Sequence, residues 1–348
     1  MSGAAGKRVL LAARPVGEPK ESDFRIEEML VPTAGASEML LRTLWLSLDP
    51  YMRGRMSDAP SYATPVAIGQ VMEGRTVSEV VASNLDGFTA GDIVFSPNGW
   101  QTHAVSDGKL VRKIDPALAP ISTALGVLGM PGMTAYTGLS EIGRPQAGET
   151  MVVSAASGAV GSLVGQIARL KGARAVGIAG GPDKCRYVVD ELGFDACVDH
   201  RGGDLPARLK AECPKGIDVS FENVGGTVFE AVFPLLNNFA RVPVCGQIAT
   251  YNATEMPAGE LRTSALTRAI LTKRLNLRGF IVSDFAARQG DFLRDVSAWL
   301  REGRIKYREH VVDGIEKAPR ALIGLLRGEN FGKMLVRVAQ GASQGARS

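Results

Sequence analysis

The residues best suited to chemistry in this chain form a glycine-rich turn between a predicted strand, 151–154, and a predicted helix. The turn residues expected to face a ligand are Ala156, Gly158, Ala159, Val160 and Gly161. Gly158 lets the backbone approach a phosphate, and Gly161 lets the helix pack closely on the strand. The helix N-terminus adds N–H donors and the positive end of a dipole. The turn therefore predicts a site for the pyrophosphate of a dinucleotide.

Glycines at this spacing are weak evidence by themselves, and Ala156 stands where the dinucleotide fingerprint has its first glycine. A purely structural turn is the alternative. Two neighbouring features favour the dinucleotide. Apolar residues at helical spacing follow the turn as far as Gly172, and a second predicted strand covers Arg174 to Ala179.

The end of this second strand indicates which dinucleotide is bound. An NAD site usually has a carboxylate there for the ribose hydroxyls, but this strand runs into Gly180, Gly181 and Pro182. The first carboxylate is Asp183, and Lys184 follows it. A small strand end with a basic group beyond it suits a 2′-phosphate, so NADP(H) is predicted, with Gly180 and Lys184 as contacts. The alternative for Lys184 is an ordinary solvated lysine.

Composition sets the class of protein. The chain has 348 residues, 45% of them hydrophobic and 22% charged, with a net charge of +4, which fits two domains of an enzyme. The charge is not gathered into a basic tract, and no long apolar run occurs, so neither nucleic acid nor a membrane is expected as a partner. The four scattered cysteines suggest reduced thiols, and a cytoplasmic location is predicted.

The order of elements predicts an α/β protein in two parts. Residues 1–126 and 311–348 are β-rich, with strands expected at 39–48, 69–81, 92–95 and 333–338, a helix at 318–326, and a disordered tail at 340–348. Residues 127–310 alternate strands with helices, which predicts a parallel sheet. The later strands of that part are expected at 196–198, 217–221 and 241–246.

Several motifs, in this order along the chain, carry a family resemblance. They are Asp49-Pro-Tyr-Met-Arg53, Gly129-Met-Pro-Gly-Met-Thr-Ala-Tyr136, the glycine turn, Glu222-Asn-Val-Gly-Gly226, Thr250-Tyr-Asn252 and Gly328-Glu-Asn-Phe-Gly-Lys333. With them the chain resembles the zinc-independent medium-chain dehydrogenases/reductases. The branch is that of prostaglandin reductases (leukotriene 12-hydroxydehydrogenases), alkenal double-bond reductases and curcumin-reductase-like enzymes. The resemblance covers about residues 7–338.

This resemblance implies a GroES-like catalytic domain from 1–126 and 311–348, a Rossmann domain with a doubly wound parallel sheet at 127–310, and an active-site cleft at their junction. It implies NADPH-dependent reduction of the carbon–carbon double bond in α,β-unsaturated ketones or aldehydes. It also implies a homodimer, with 275–282 as a candidate pairing strand. A zinc-free quinone reductase and a non-catalytic nucleotide-binding scaffold or sensor are the alternatives.

No metal is expected, and the residues support this expectation independently. Zinc needs a set of cysteine or histidine ligands, but no cysteine precedes Cys185 and the only histidine before residue 200 is His103. Gln70 precedes the segment in which a zinc alcohol dehydrogenase carries a Gly-His-Glu motif. His103 is therefore interpreted as a structural residue.

Without a metal, a hydrogen-bond donor must polarise the substrate carbonyl. Tyr251 is the candidate, since it follows a predicted strand end and matches the tyrosine of the family's active site, and it is expected to contact both substrate and cofactor. A tyrosine that only lines the cleft is the alternative, and the cofactor's ribose hydroxyl and solvent are competing donors. By resemblance Tyr51 lines the substrate site, with a buried structural aromatic as the alternative. The other expected cofactor contacts, for which capping or turn roles are the alternative, are Thr134, Asn223, Gly246 and Asn330. His200 occupies a position where relatives often have a tyrosine near the adenosine phosphate.

Overall fold

A computed structural model describes residues 5–255 and 263–340 of the chain. The strands within these residues are β1 Ala5–Leu11, β2 Phe24–Leu30, β3 Met39–Ser47, β4 Thr76–Ser83, β5 Ile93–Ser96, β6 His103–Ser106, β7 Arg112–Lys113, β8 Thr150–Ser154, β9 Arg174–Ala179, β10 Ala196–Asp199, β11 Ile217–Phe221, β12 Leu236–Val244, β13 Asn276–Gly279, β14 Glu309–Asp313 and β15 Lys333–Arg337.

The α-helices in the same ranges are α1 Met52–Arg55, α2 Met130–Thr137, α3 Gly161–Leu170, α4 Pro182–Arg186, α5 Leu205–Glu212, α6 Gly226–Val232, α7 Thr263–Lys273, α8 Gln289–Arg301 and α9 Ala318–Leu326. The described residues divide into two compact units. The first falls within 1–126, 309–330 and 334–348, and the second within 127–308 and 331–333. No helix in the described part of the chain is both long enough and apolar enough to span a membrane.

The first unit is built on an antiparallel sheet with the strand order β14-β15-β3-β4-β5-β7, and β6 also pairs with β3. The strands β1 and β2 form a separate antiparallel pair. Burial alternates along β3 from Met39 to Thr43, and beyond Thr43 most residues of the strand are buried. The core includes Leu46 and Trp100, both fully buried, together with the apolar face of α9.

The second unit contains a six-stranded parallel sheet with the order β10-β9-β8-β11-β12-β13. Counted from its first strand, this order is 3-2-1-4-5-6, which is that of a Rossmann fold. All five residues of β8 are buried, as is typical of a strand with helices on both faces. The predicted α/β class and parallel sheet are confirmed. The strand order reverses between β8 and β11, and ligands bind Rossmann folds at the carboxyl ends of such strands.

Most predicted elements form within a few residues of their expected bounds, and two differ. The strand predicted at 69–81 begins only at Thr76, because Gly69 has a positive φ of 84° and Val71 makes only an isolated bridge to Leu10. The strand predicted at 241–246 starts earlier, at Leu236, and ends at Val244. The tail prediction for 340–348 lies, beyond Gln340, outside the described residues.

Candidate functional site

Asn223 and Ser154 join the carboxyl ends of β8 and β11, where the strand order reverses. The backbone N–H of Asn223 donates to Ser154 Oγ at 2.8 Å, and the Asn223 side-chain amide donates to the Ser154 carbonyl at 2.8 Å. Asn223 was a predicted contact, whereas Ser154 was not. The position of Ser154 at the end of the first Rossmann strand was the available signal.

Glu222 organises the turn that carries Asn223. Its Oε1 accepts hydrogen bonds from the N–H of Val224 at 2.6 Å, the N–H of Gly225 at 2.7 Å and the Ser154 hydroxyl at 3.1 Å. Its side chain is almost fully buried, and this burial raises the pKa of the carboxyl although the hydrogen bonds oppose the shift. Glu222 therefore fixes the Asn223–Gly225 turn. Sequence reasoning quoted Glu222 within a motif and gave it no role.

The glycine turn is tightly packed at the start of α3. An added Cβ on Gly161 would collide with the Ala155 carbonyl, which confirms that this glycine permits close packing of helix and strand. Val160 precedes α3 and carries no group that could cap it. Gly158, Ala159 and Val160 are half-buried, whereas Ala156 is fully buried and donates its N–H to the Ile178 carbonyl at 3.0 Å. Ala156 thus anchors the turn to β9 through this hydrogen bond.

A short segment, Phe331–Lys333, braces the glycine turn. Gly332 forms a bridge with Gly158 and donates its N–H to the Ser157 carbonyl at 3.2 Å. Gly332 has a φ of 80°, and an added Cβ would collide with the Arg308 carbonyl. The half-buried Asn330 directly precedes this segment. Glycine is therefore required at 332 to hold the segment against the turn.

Three basic side chains, Lys184, His200 and Arg201, form a group that we call the basic cluster, beside Gly180. A Cβ built on Gly180 would lie 2.9 Å from His200 Nε2 and 3.1 Å from Arg201 Nε. Burial lowers the pKa of Lys184, and the charge of Arg201 lowers it further. Partial desolvation and Arg201 likewise lower the pKa of His200, which remains exposed. A bound anion would reduce the electrostatic repulsion between Arg201 and Lys184.

The carboxylates near the basic cluster are occupied elsewhere. Asp199 Oδ1 accepts the N–H of Gly181 at 2.8 Å and the N–H of Arg201 at 2.9 Å. Asp183 pairs with Arg186 on the exposed side of α4. Both carboxylates thus bind neighbouring groups of the protein. The end of β9 therefore suits a phosphate better than a ribose hydroxyl. Sequence reasoning missed Arg201, although it directly follows His200.

Tyr251 lies beside the Asn223 turn. The loop after β12 is held there by Ile248, which donates its N–H to the Asn223 carbonyl at 3.2 Å, and Ala249, which donates to Val224 at 2.9 Å. Tyr251 Oη accepts the Gln247 N–H at 3.4 Å, and a Cβ on Gly246 would lie 3.1 Å from this oxygen. The structure thus brings Asn223, Gly246 and Tyr251 together.

The chain does not run directly from the sheet to Tyr251, because it leaves the sheet after Val244, before the predicted strand end at Gly246. The N–H groups of Cys245 and Gly246 then bond to the Glu222 carbonyl at 2.8 and 3.2 Å. A loop and a short 3₁₀ turn, Ile248–Thr250, carry the chain on to the tyrosine.

Thr134 lies in the second turn of α2 rather than at its start. It is buried, and its hydroxyl donates to the Met130 carbonyl at 2.8 Å. The α2 helix packs against α3, the helix that follows the glycine turn. The hydroxyl oxygen retains the capacity to accept a hydrogen bond.

Tyr51 belongs to the first unit, where it is half-buried and packs against the core. Burial raises the pKa of its phenol, and the charges of Asp49 and Glu73 add to the rise. The Arg55 guanidinium lies 5.4 Å from the centre of its ring. Tyr51 is therefore a neutral phenol fixed by its packing.

Within residues 5–255 and 263–340, no group of three or more His, Cys, Asp or Glu side chains is arranged to hold a metal ion. His103 instead contacts Thr102, with Nδ1 3.1 Å from Oγ1.

The second unit has two positions that favour negative charge, one at the N-terminus of α3 and one at the basic cluster. The polar residues Asn223 and Tyr251 lie near the ends of the central strands. This arrangement could hold a phosphorylated dinucleotide.

Known proteins match nearly the whole chain. Residues 7–114 match the family model described as N-terminal domain of oxidoreductase, and residues 159–300 match that described as zinc-binding dehydrogenase. The chain is 53% identical to an NADPH-dependent curcumin reductase of Escherichia coli, over 96% of this chain and 97% of that one. It is 39% identical to a 2-alkenal reductase (NADP(+)-dependent) of Nicotiana tabacum, over 97% and 98%. The crystal structure of CurA in complex with NADPH from Vibrio vulnificus is similar with a TM-score of 0.93 at 53% identity, covering 96% of this chain and 99% of that one.

Proposed function

Since the chain belongs to the zinc-independent medium-chain reductases, we propose that it reduces the carbon–carbon double bond of α,β-unsaturated ketones and aldehydes with NADPH. The observation that carries this function is the 53% identity, across nearly the full length, with a reductase named for NADPH and an unsaturated carbonyl substrate. The grouping of Asn223, Gly246 and Tyr251 at the ends of the central strands supports this proposal.

The second unit is proposed to bind the cofactor. The turn Gly158–Gly161 and the N-terminus of α3 would hold the pyrophosphate, since backbone N–H groups and the helix dipole favour an anion. Gly180 and the basic cluster would hold the 2′-phosphate, because they combine space with positive charge. Arg201 thereby joins the predicted Lys184 and His200.

Asn223, Gly246, Thr134 and Asn330 are proposed to contact the nicotinamide half. Asn223 is held by its two bonds to Ser154, and Glu222 fixes the turn around it, so this contact is rigid before the cofactor arrives. Preorganisation of this kind reduces the free energy lost on binding.

When bound, NADPH supplies the hydride that reaches the β-carbon of the substrate. Tyr251 is proposed to donate its phenol O–H to the carbonyl oxygen, where negative charge develops as the double bond is reduced. A fixed donor at that oxygen stabilises the transition state more than the ground state. The bond from Gln247 to Tyr251 Oη helps to position the phenol. Tyr251 is thus the proposed catalytic residue.

The first unit is proposed to form the catalytic, substrate-binding domain, with Tyr51 in contact with the substrate. A neutral, packed phenol suits an apolar enone better than a charged group does. We further propose a homodimer in which β13 pairs with its copy, because β13 is an edge strand of the parallel sheet. A cytoplasmic location is proposed because the enzyme must work where NADPH is supplied.

The test is turnover by the purified full-length chain with NADPH and a panel of enones, alkenals and quinones. Saturated carbonyl products from the enones and alkenals are expected. Turnover of the quinones alone would identify a quinone reductase, and NADPH binding without turnover of any compound would identify a nucleotide-binding scaffold.

A further inference from the structure

Two thiols lie close together on α4 and β10, the elements next to the basic cluster. Cys197 Sγ lies 3.2 Å from Cys185 Sγ and donates its S–H to it. Cys185 is next to Lys184 on α4, and Cys197 lies on β10, three residues before His200. Both side chains are partly exposed. The pair therefore joins the two elements that carry the basic cluster.

We propose that Cys185 and Cys197 form a reversible disulfide whose formation weakens NADPH binding. A disulfide has an S–S length of about 2.0 Å, so the two sulfur atoms need to approach by only about 1 Å. The Cys197 S–H points at the Cys185 sulfur, where it stabilises a thiolate on Cys185. Consistently, the bond from Cys197 lowers the pKa of Cys185 and raises that of Cys197.

The oxidant would be a hydroperoxide. The Cys185 thiolate attacks one peroxide oxygen, so an S–O bond forms, the O–O bond breaks and an alcohol or water leaves. The Cys197 sulfur then attacks the Cys185 sulfenic acid, so the S–S bond forms and water leaves. Two thiols are oxidised and one peroxide is reduced to an alcohol and water. A dithiol reverses the reaction by exchange.

The effect on the cofactor follows from the position of Lys184. Drawing Cys185 toward β10 displaces the adjacent Lys184. On the other strand, Asp199 lies two residues after Cys197 and accepts the N–H groups of Gly181 and Arg201, so a shift of Cys197 also reaches these residues. The disulfide therefore disturbs the basic cluster, and NADPH loses affinity whereas NADH, which lacks the 2′-phosphate, loses little. By linkage, bound NADPH should shift the equilibrium of the pair from the disulfide toward the two thiols. This consequence rests on the proposed role of the basic cluster.

Peptide mapping tests the disulfide without any assay of activity. The reduced protein is treated with hydrogen peroxide, alkylated and digested with trypsin under non-reducing conditions. Cleavage after Lys184, Arg186 and Arg201 should release Cys185–Arg186 linked to Tyr187–Arg201, two hydrogens lighter than the separate peptides. Cys185→Ser and Cys197→Ser should each abolish this product, and Cys213→Ser, at a buried cysteine elsewhere, should not.

Equilibrium binding of NADPH and NADH then tests the consequence. Oxidation should raise the Kd of NADPH about tenfold, and dithiothreitol should restore it. Failure to detect the linked peptide, or linkage with an unchanged NADPH Kd, would overturn the proposal. Lys184→Ala, measured fully reduced, tests the 2′-phosphate site separately, so a failure of that site is distinguished from a failure of the thiol pair.

Discussion

Asn223 makes two hydrogen bonds of 2.8 Å to Ser154, one from its backbone and one from its side chain, across the point where the Rossmann strand order reverses. A single residue at the end of β11 is thereby locked to the last residue of β8. Because a fixed polar group loses little conformational entropy on binding, this link makes Asn223 suitable for orienting a flat ring.

Tyr251→Phe should reduce enone turnover by about 10-fold to 1000-fold, the span between loss of an ordinary hydrogen bond and loss of an oxyanion donor. The substitution keeps the ring, so folding and NADPH binding should be unchanged. Steady-state kinetics should show kcat and kcat/KM falling together, as expected for a bond made in the transition state.

Tyr136→Phe is the matched control for this loss of a hydroxyl. Tyr136 donates to Asp295 at 2.7 Å in the interior of the second unit, so its variant should lose stability and not turnover. Full kcat in Tyr251→Phe, with the chemical step shown to limit the rate, would reduce Tyr251 to a lining residue.

Lys184→Ala should weaken NADPH binding by roughly 10-fold to 100-fold, because a charge-assisted contact of about 1.5 to 3 kcal/mol is lost. NADH binding should change little. Fluorescence titration of both nucleotides measures this difference. Lys210→Ala, at an exposed lysine of α5, provides the control and should leave both affinities unchanged. Equal losses for NADPH and NADH in Lys184→Ala would contradict the assignment.

Prolonged treatment with EDTA or phenanthroline should leave activity intact, since the described residues contain no group suited to holding a metal ion. Elemental analysis of the purified protein should find less than stoichiometric zinc. Loss of turnover on chelation, with recovery on adding zinc, would refute metal independence.

Glu222 should make stability depend on pH. Burial raises the pKa of its carboxyl above the ordinary 4.5, so the native state holds a proton that the unfolded chain has released. The free energy of unfolding that this residue contributes therefore falls as pH rises above that value. Urea unfolding of the wild type and of Glu222→Gln across pH should reveal this fall as a difference between the two proteins. Parallel curves would exclude the contribution.

Gly161→Ala should destabilise the protein by on the order of 1–3 kcal/mol, because the new methyl group collides with the Ala155 carbonyl and forces the backbone to move. NADPH binding should weaken as well. Gly290→Ala in α8 is the control, since its Cβ would meet no atom within 4 Å and the change should be neutral or slightly stabilising. Thermal unfolding of both variants measures the contrast.

Local patterns were sufficient to predict much of the second unit. The buried strand β9 has an apolar run at 175–179, and Gly172, with a φ of 82°, ends α3 as expected. The path after β12 could not be predicted, because it depends on hydrogen bonds that the N–H groups of Cys245 and Gly246 donate to the carbonyl of Glu222, at the end of the neighbouring strand β11.

The site shows the same limit. The positive charge of Lys184 was readable from the sequence, and His200 was assigned to the cofactor site by resemblance alone. The contribution of Arg201 and the hydrogen bonds of Asp199 depend on how β9 and β10 lie side by side. The pairing of Cys185 with Cys197 has the same origin, since twelve positions separate them in the chain.

The brace that Gly332 places on Ser157 and Gly158 has a consequence for the order of synthesis. A ribosome makes the glycine turn about half a chain before it makes residues 331–333, so the turn lacks these contacts until that segment is made. Contacts between such distant segments form slowly, because a long loop has to close first. The dinucleotide site should therefore be complete only after residues 331–333 have left the ribosome.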